Sequence, residues 1–564
     1  MTETIWNVAP PAEEAPGLAA AFGLPPVIGQ ILVNRRIADV ESARFFLQGK
    51  LEDIPDPFLM TGMGAAVDRI RRAVEAGEKI LIFGDYDVDG ILSTVMLHKA
   101  ISTLGGVVDY FIPERLTDGY GIKDAHIGVV TERGAGLVIS VDCGIKSVGF
   151  VRAAKTAGVD VIITDHHLPG AELPEALALL DPMLPGANYP ERGLAGVGVA
   201  FKLIQALFQN TERTADLRHY LKLVAIGTIA DIAELRGENR VLVRQGLAEL
   251  DNVANLGLQS LIGVCGLRGR RISVADVGFR LGPRINAAGR MGRTDLALRL
   301  FFSNDAAEAT GLAKDLDDLN GRRQTAEEHI FTQASERIRT RGWDRDYKIL
   351  VLGDEGWNRG IVGIVASRLK ETFHRPVVLF AYENGMAYGS GRSISEFSLI
   401  DCLEEARPLF LSYGGHRLAV GCTLLRESLP AFRAAMNRAA EAGLPETALR
   451  RTLAVDARLD FAEINAALWN GLALLEPHGV GNPKPVFVTV QAEVVAPPRK
   501  MKDRHAKFLL RADGRTFEAI GWDHGDWADA FGAGARVDCV YTFQTSNYLG
   551  QDRIYLGLED MRSA

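Results

Sequence analysis

Cysteine is scarce: five residues in 564 (Cys143, Cys265, Cys402, Cys422, Cys539), with no CxxC pair among them. That pattern excludes a disulfide framework and a cysteine-ligated zinc site. No apolar run approaches the ~18 residues of a transmembrane helix, and residues 1–30 lack a basic stretch followed by an apolar one. The expectation is therefore a cytoplasmic protein with no membrane contact. Positive charge is also lacking, since the net charge is −8. Proteins that bind nucleic acid by bulk charge are usually basic, so a nucleic-acid partner would have to meet local patches. What is present, 24% charged and 47% hydrophobic residues, describes a globular chain long enough for several domains.

Two basic patches stand out. Seven arginines (268, 270, 271, 280, 284, 290, 293) lie between Gly266 and Arg293 against one acid, Asp276. Arg499, Lys500, Lys502, Arg504 and Lys507 crowd around Asp503. In a net acidic chain such concentrations are read as anion-binding surfaces rather than scattered solvated charge.

The chain changes character along its length. Residues 1–60 start Pro-rich and acidic and read as a packing cap. From about 65, helices alternate with short apolar strands (Lys79–Phe83, Val107–Ile112, Leu137–Val141, Val161–Thr164), the pattern of a parallel α/β sheet covered on both faces. Ala306–Arg339 is a proline-free helix pattern that reads as a spacer between lobes. A second α/β lobe follows over about 345–445, with strand signals flanking Gly-rich loops. Beyond 450 the period becomes two, and five or six strands predict a small β-barrel of OB type. The expected divisions are 1–60, 61–300, 301–344, 345–449 and 450–564.

In open parallel sheets, ligands bind beyond the carboxyl ends of the strands. Those ends carry Asp85-Tyr-Asp87-Val-Asp89-Gly, Asp142-Cys-Gly and Asp165-His166-His167, and Asp231 follows the apolar segment Leu223–Ala230. A single Asp at a strand end is more often a helix cap, and the first loop lacks the twelfth-position Glu of a calcium hand. Carboxylates converging from several ends on one crevice repel one another unless cations neutralise them. Oxygen-rich ligation with an imidazole suits Mn²⁺ or Mg²⁺.

These motifs resemble those of the DHH phosphoesterase superfamily. Gly193-Leu-Ala-Gly-Val-Gly198 and Gly227-Thr-Ile-Ala-Asp-Ile-Ala233 continue the series. Arg284-Ile-Asn-Ala-Ala-Gly-Arg290-Met, Leu319-Asn320-Gly-Arg-Arg323, Trp357-Asn-Arg-Gly-Ile-Val-Gly, Gly389-Ser-Gly-Arg-Ser393 and Gly414-Gly-His416 are similar to its RecJ branch, from about residue 60 to the C-terminus. The resemblance implies a fold: a parallel-sheet DHH catalytic lobe, a long connecting helix, a second α/β lobe (the DHH-associated domain) and a C-terminal OB-like barrel.

It also implies roles. Asp87, Asp89, Asp142, His166 and Asp231 correspond to metal ligands, with Asp142 bridging two ions per active site. Asp85 ligates or orients, and the sequence leaves open which of Asp85 and Asp87 takes the contact that other superfamily members give to a histidine. His167 faces the scissile phosphate. Ser390 and Arg392 of the Gly-rich loop Gly389–Ser393, with Arg290 and His416, form a terminal-phosphate pocket, while Arg115 and Tyr120 line its mouth. Two cations about 3.5–4 Å apart suit in-line displacement at phosphorus. The implied activity is 5′→3′ hydrolysis of single-stranded DNA to mononucleotides, in DNA repair and recombination. A helicase and a single-strand-binding protein are the implied partners. Two alternatives remain. One is another DHH phosphodiesterase acting on oligoribonucleotides or cyclic dinucleotides, against which the extra barrel counts. The other is a non-catalytic DNA-binding scaffold, which has no reason to keep clustered repulsive charge.

Overall fold

The computed structural model describes residues 4–115, 119, 121–548 and 551–564. Five strands, Lys79–Gly84, Val107–Phe111, Leu137–Val141, Asp160–Thr164 and Ala178–Leu180, form an all-parallel sheet. Lys79–Gly84 lies second from one edge, between Val107–Phe111 and Leu137–Val141. Alternate side chains go to opposite faces of a strand. Ile80 and Ile82 accordingly join the large core with helices Val88–Thr103 and Gly196–Phe208. Leu81 and Phe83 join a smaller core with Phe150, Val151 and Ala154 of helix Val148–Thr156. Both faces are covered, so the strands read as continuous apolar runs, and the carboxyl edge is left for polar residues.

The helix Ala306–Thr340 is a single rod of 35 residues, about 52 Å long at 1.5 Å per residue. Its first half gives Leu312, Ala313 and Leu316 to the large core of the parallel-sheet lobe. Its second half gives Ile330, Ala334 and Ile338 to a core beneath the second sheet. One helix thus belongs to two hydrophobic cores and fixes the lobes relative to each other. The second sheet runs in the order Phe410–Gly415, Ala419–Leu425, Met386–Arg392, Val377–Glu383, Leu350–Asp354, with only the last pair parallel.

The C-terminal barrel consists of Phe487–Val494, His505–Ala512, Arg515–Gly521, Arg536–Tyr548 and Gln551–Ser563. Pairing of Glu493 with Arg511 and Val494 with Leu510 closes it, and the third and fifth strands run parallel. That connectivity is the Greek-key barrel of an OB-fold. Phe508, Tyr541 and Phe543 are core residues, whereas Trp522 is exposed. The N-terminal segment packs on this barrel: Leu18, Ile28, Ile31 and Leu32 share its core, and Ile5–Val8 pairs with Thr452–Val455. Among the described residues no helix is long and apolar enough to cross a membrane.

Candidate metal centre and phosphate pocket

The acidic cluster is built by the carboxyl ends of the sheet. Asp87 caps helix Val88–Thr103, its Oδ1 accepting from the Asp89 and Gly90 amides at 2.9 and 3.2 Å. The loop turns tightly there, since a Cβ at Gly90 would lie 2.5 Å from the Asp85 carbonyl oxygen. Both carboxylate oxygens of the buried Asp89 accept from the Gly196 and Val197 amides at 2.7 and 2.6 Å, at the start of helix Gly196–Phe208. The Gly193–Gly198 motif therefore holds an anion by amides and helix dipole. Gly196 must lack a side chain, because its Cβ would meet the Asp142 Cβ at 2.8 Å. Asp142 leaves its strand in the left-handed region, φ 59°, a conformation that non-glycine residues hold mainly where surrounding structure enforces it.

His166 completes the cluster. Its Nε2 lies 3.0 Å from Asp142 Oδ1 and 3.9 Å from both Asp89 Oδ2 and Asp231 Oδ2. Asp231 comes from the C-terminus of helix Arg218–Ala230 rather than from a strand. Three groups bring their ligand atoms within 4.8 Å of one another: Asp85, Asp87 and Asp142; Asp89, His166 and Asp231; and Asp142, His166 and His167. Asp85 Oδ1, Asp142 Oδ1 and His166 Nε2 are buried without a hydrogen-bond partner. Orphaned oxygens and one imidazole nitrogen facing each other are the donor set of a hard divalent cation, so the residues fit Mn²⁺ or Mg²⁺.

Electrostatics agree. Burial, and then repulsion among the acids, holds the carboxyls of Asp85, Asp89 and Asp142 well above the usual carboxylate range. Burial and Asp87 push Asp231 up to about 7. Burial and the neighbouring His167 bring His166 down to about 4, leaving it a neutral ligand. Asp165 is an organiser outside the three groups. Its Oδ1 lies 2.7 Å from His167 Nδ1 and accepts from the His166 and His167 amides, and its Oδ2 accepts from the Ile145 amide. Burial works against charge on His167, but the hydrogen bond to Asp165 wins and raises it.

Sequence reasoning did not assign this role to Asp165, because a strand-end carboxylate that orients a ligand looks like one that ligates. It also passed over Asp181, which ends the last strand. Asp181 is buried, accepts from the Met183 amide at 2.7 Å, and is pushed by burial to about 7. Its signal, an acid directly after the apolar run Leu177–Leu180, was the same one used for the others.

Arginines from both lobes border this cluster. Arg392 Nη1 donates to Ser390 Oγ at 3.1 Å and to the Gly391 carbonyl at 2.7 Å. Both side chains lie at the start of helix Val362–Phe373, where a Cβ at Gly363 would meet Ser390 Oγ at 2.9 Å and Arg392 Nη2 at 3.2 Å. Arg290 Nη1 reaches across from the first lobe to the Gly360 carbonyl at 3.3 Å. Burial and the guanidinium charges of Arg115, Arg323 and Arg392 bring Arg290 down to about 10. Arg115 lies 5.1 Å over the ring of Tyr86, in the acidic loop. His416 is exposed, and partial burial with the nearby charges of Lys146 and His167 lowers its pKa. Tyr120 lies outside the described residues.

One expectation is corrected. Gly389–Arg392 is not a Gly-rich loop but part of the strand Met386–Arg392 in the middle of its sheet. Its glycines serve packing: a Cβ at Gly389 would strike the Phe380 ring at 2.4 Å, and one at Gly391 the Val420 side chain at 2.6 Å. Seven of the twelve basic residues in the two patches form ion pairs. Arg270 and Arg280 meet Asp276, Arg284 meets Asp317 and Arg293 meets Asp295. In the barrel, Lys500, Arg504 and Lys507 pair with Asp529, Asp523 and Glu518. These acids are mostly remote in sequence, so a local count of charge misses them.

Family models match three stretches of the chain: the DHH family N-terminal domain over residues 79–228, the DHHA1 domain over 346–442, and the RecJ OB domain over 455–560. The single-stranded-DNA-specific exonuclease RecJ of Bacillus subtilis is 38% identical over 560 residues, spanning 98% of this chain and 70% of that protein. RecJ of Thermus thermophilus is 37% identical over 480 residues, 85% of this chain and 68% of that one. A crystal structure of Thermus thermophilus RecJ in complex with Mn²⁺ covers 100% of this chain and 80% of its own, with a TM-score of 0.85 at 33% identity. The corresponding Mg²⁺ complex gives 0.80 at 31% identity, with the whole of this chain and 79% of that one covered. In sequence and in fold, over nearly its whole length, the chain belongs to the RecJ family of DHH phosphoesterases.

Proposed function

We propose that this protein is a metal-dependent exonuclease that removes mononucleotides from the 5′ end of single-stranded DNA. The observation that carries the reading is the pairing of a carboxylate–imidazole cluster holding orphaned buried atoms with an arginine-lined pocket to which both lobes contribute. Asp85, Asp87, Asp89, Asp142, His166 and Asp231 would hold two divalent cations, Asp142 between them. Asp85 and Asp87 belong to one group with Asp142, so both would face the same ion. Bound there, such cations supply charge neutralisation and a nucleophile from water near neutral pH. The chain's own residues do the rest. Asp165 raises the proton affinity of His167 and would orient it toward the scissile phosphate. Ser390, Arg392 and Arg290 take the terminal phosphate, with Arg115 and His416 at the rim. In this reading residues 1–60 are a cap, 61–300 catalyse, 301–344 connect, 345–449 bind the terminal phosphate and 450–564 bind the strand. A role in DNA repair and recombination in the cytoplasm, beside a helicase and a single-strand-binding protein, follows from the family.

A cation cluster is indifferent to strand direction, so polarity must come from the pocket that recognises one end. Digestion of 5′- and 3′-labelled single strands and blunt duplex with Mn²⁺, Mg²⁺ or chelator tests the activity. Arg392→Ala tests the polarity. Losing a charge-assisted hydrogen bond costs on the order of 1.5–3 kcal/mol, roughly one to two decades in rate. That loss is expected on 5′-phosphorylated strands and not on the slower 5′-hydroxyl strands. An equal drop on both would assign Arg392 to general backbone binding, and 3′-end release would overturn the direction.

A further inference from the structure

Two of the carboxylates grouped with His166 reach the cluster from segments far apart in the chain. Asp89 is held by the amides of Gly196 and Val197, and Asp231 follows the end of helix Arg218–Ala230. With His166 they form one of the groups whose ligand atoms lie within 4.8 Å of one another. Metal–ligand distances vary by only about 0.2 Å in well-made sites, so the spacing of these two carboxylates has to be set by something stiff.

A single buried side chain bridges the two segments. Asn239 is 3% exposed and lies on the first turn of helix Gly237–Glu249. Its Nδ2 donates to the Gly193 carbonyl at 2.5 Å and to the Glu234 carbonyl at 3.1 Å. Gly193 stands three residues before Gly196, and Glu234 three residues after Asp231. Carbonyl oxygens only accept, so the amide has to turn its NH₂ group toward both. Its Oδ1 is left buried without a hydrogen-bond partner among the described residues, a cost that the bridge has to outweigh.

The helix that carries Asn239 is locked against helix Gly196–Phe208. Glu238 and Lys202 are both fully buried and pair at 2.8 Å. Tyr189 Oη donates to the second Glu238 oxygen at 2.6 Å, and Lys202 Nζ donates to the Pro55 carbonyl at 2.5 Å. An ion pair buried this deeply adds little net stability, and its best-attested use is to fix register. Tyr189 and Gly193 both belong to the connection between the last strand of the parallel sheet and helix Gly196–Phe208. Glu238 and Asn239 thus grip that connection at two points, while Asn239 also holds the segment behind Asp231.

Resting on the metal centre of the nuclease reading above, we infer that Asn239 is a positioning residue that sets the separation of Asp89 and Asp231 by donating to both carbonyls at once. It thereby tunes the one cation site that these carboxylates share with His166. Asp85, Asp87 and Asp142 form a separate group, and the two bonds of the Asn239 amide go elsewhere. The effect is therefore confined to one of the two ions.

Asn239→Asp and Asn239→Ser have at most one side-chain hydrogen to donate, so neither can hold both carbonyls. Free Mn²⁺, followed by electron paramagnetic resonance as the intact protein is titrated, counts bound ions without any hydrolysis. The wild type is expected to take two ions per chain. In either variant one ion should bind as in the wild type and the other about ten-fold more weakly, the scale on which losing a group that orients a ligand is felt. The Mn²⁺ concentration for half-maximal digestion of single strands should rise by the same factor, with kcat recovered at saturating Mn²⁺. Melting in chelator separates placement from folding, since the weakened site should appear in a variant whose Tm stays near that of the wild type. Two ions bound as tightly as in the wild type, or both weakened equally alongside a lowered Tm, would overturn the positioning role and leave Asn239 to packing. A wild type that takes both ions but releases no nucleotide would instead overturn the nuclease reading, and the titration would still decide the role of Asn239.

Discussion

At the scale of single residues, the cluster is a site that the folded chain holds against its own repulsion. Asp231 shows this in measurable form. Its carboxyl is held at about 7 against an ordinary 3.8. As pH climbs through 4 the unfolded chain releases this proton first, so unfolding becomes easier until the folded form releases it too. In chelator, the wild type should therefore lose Tm relative to Asp231→Asn from about pH 4, with the gap levelling above about 7. Saturating Mn²⁺ should reverse the gap, because binding to the folded state alone stabilises it. Thermal scans of both proteins across pH, with and without metal, give the answer. A pH-independent difference would mean that Asp231 is solvated and outside the cluster. The residue identities here were legible in the sequence because strand ends and short spacings converge by topology alone. The division between Asp165, which orients, and Asp142, which faces the cluster, was not, because it depends on which way each carboxylate turns.

Elements explain where the reading of the second lobe went astray. Glycine at alternate positions suggests a flexible loop, yet Gly389 and Gly391 sit in a strand flanked on both sides, by Val377–Glu383 and Ala419–Leu425. They are small so that Phe380, Cys422, Val420 and Leu399 can cover that face. The neighbouring Ser390 and Arg392 then project from the other face toward the cleft, as strand alternation requires. Rigid presentation suits a pocket that must recognise one phosphate at a fixed place. Gly391→Ala forces a methyl to 2.6 Å from Val420 Cγ2, and overpacking of this kind costs about 1–3 kcal/mol. Urea unfolding should show that loss. A variant as stable as the wild type would mean that the strand is loose enough to yield, and that the pocket is not rigid. The long helix was legible for the opposite reason: its proline-free run of 35 residues is local information. Its sharing between two cores is not, since that depends on what packs against each half.

The whole molecule is less modular than its sequence suggests. The first sixty residues and the barrel lie at opposite ends of the chain but share one core, with Leu18, Ile28, Ile31 and Leu32 packed among Phe461, Phe487 and Tyr541. Arg35 and Asp456 form a buried pair at 2.6 Å. The catalytic lobe is tied to the same body by Arg240, which is fully buried. It donates to the carbonyls of Phe46, Leu474, Leu475, Glu476 and Pro477. The Leu235 amide and Arg236 Nε donate to the carbonyls of Val480 and Gly481, so the loop behind Asp231 leans on the barrel's leading segment. Deleting residues 450–564 therefore does more than remove a strand-binding domain. It uncovers the apolar face of the N-terminal helices, leaves Ile5–Val8 without its partner strand, and strips Arg240 of four of its five acceptors. An unpaired buried charge alone costs several kcal/mol, against a total stability of about 5–15 kcal/mol. The expected product of a chain ending at residue 449 is a protein that binds hydrophobic dye, melts at lower temperature and loses activity on strands of every length. A soluble fragment with undiminished Tm would show that the N-terminal segment belongs to the catalytic lobe and that the barrel is an appendage. The contribution of the barrel to DNA binding has to be measured on the intact chain, by changing exposed residues such as Trp522 that the shared core does not use.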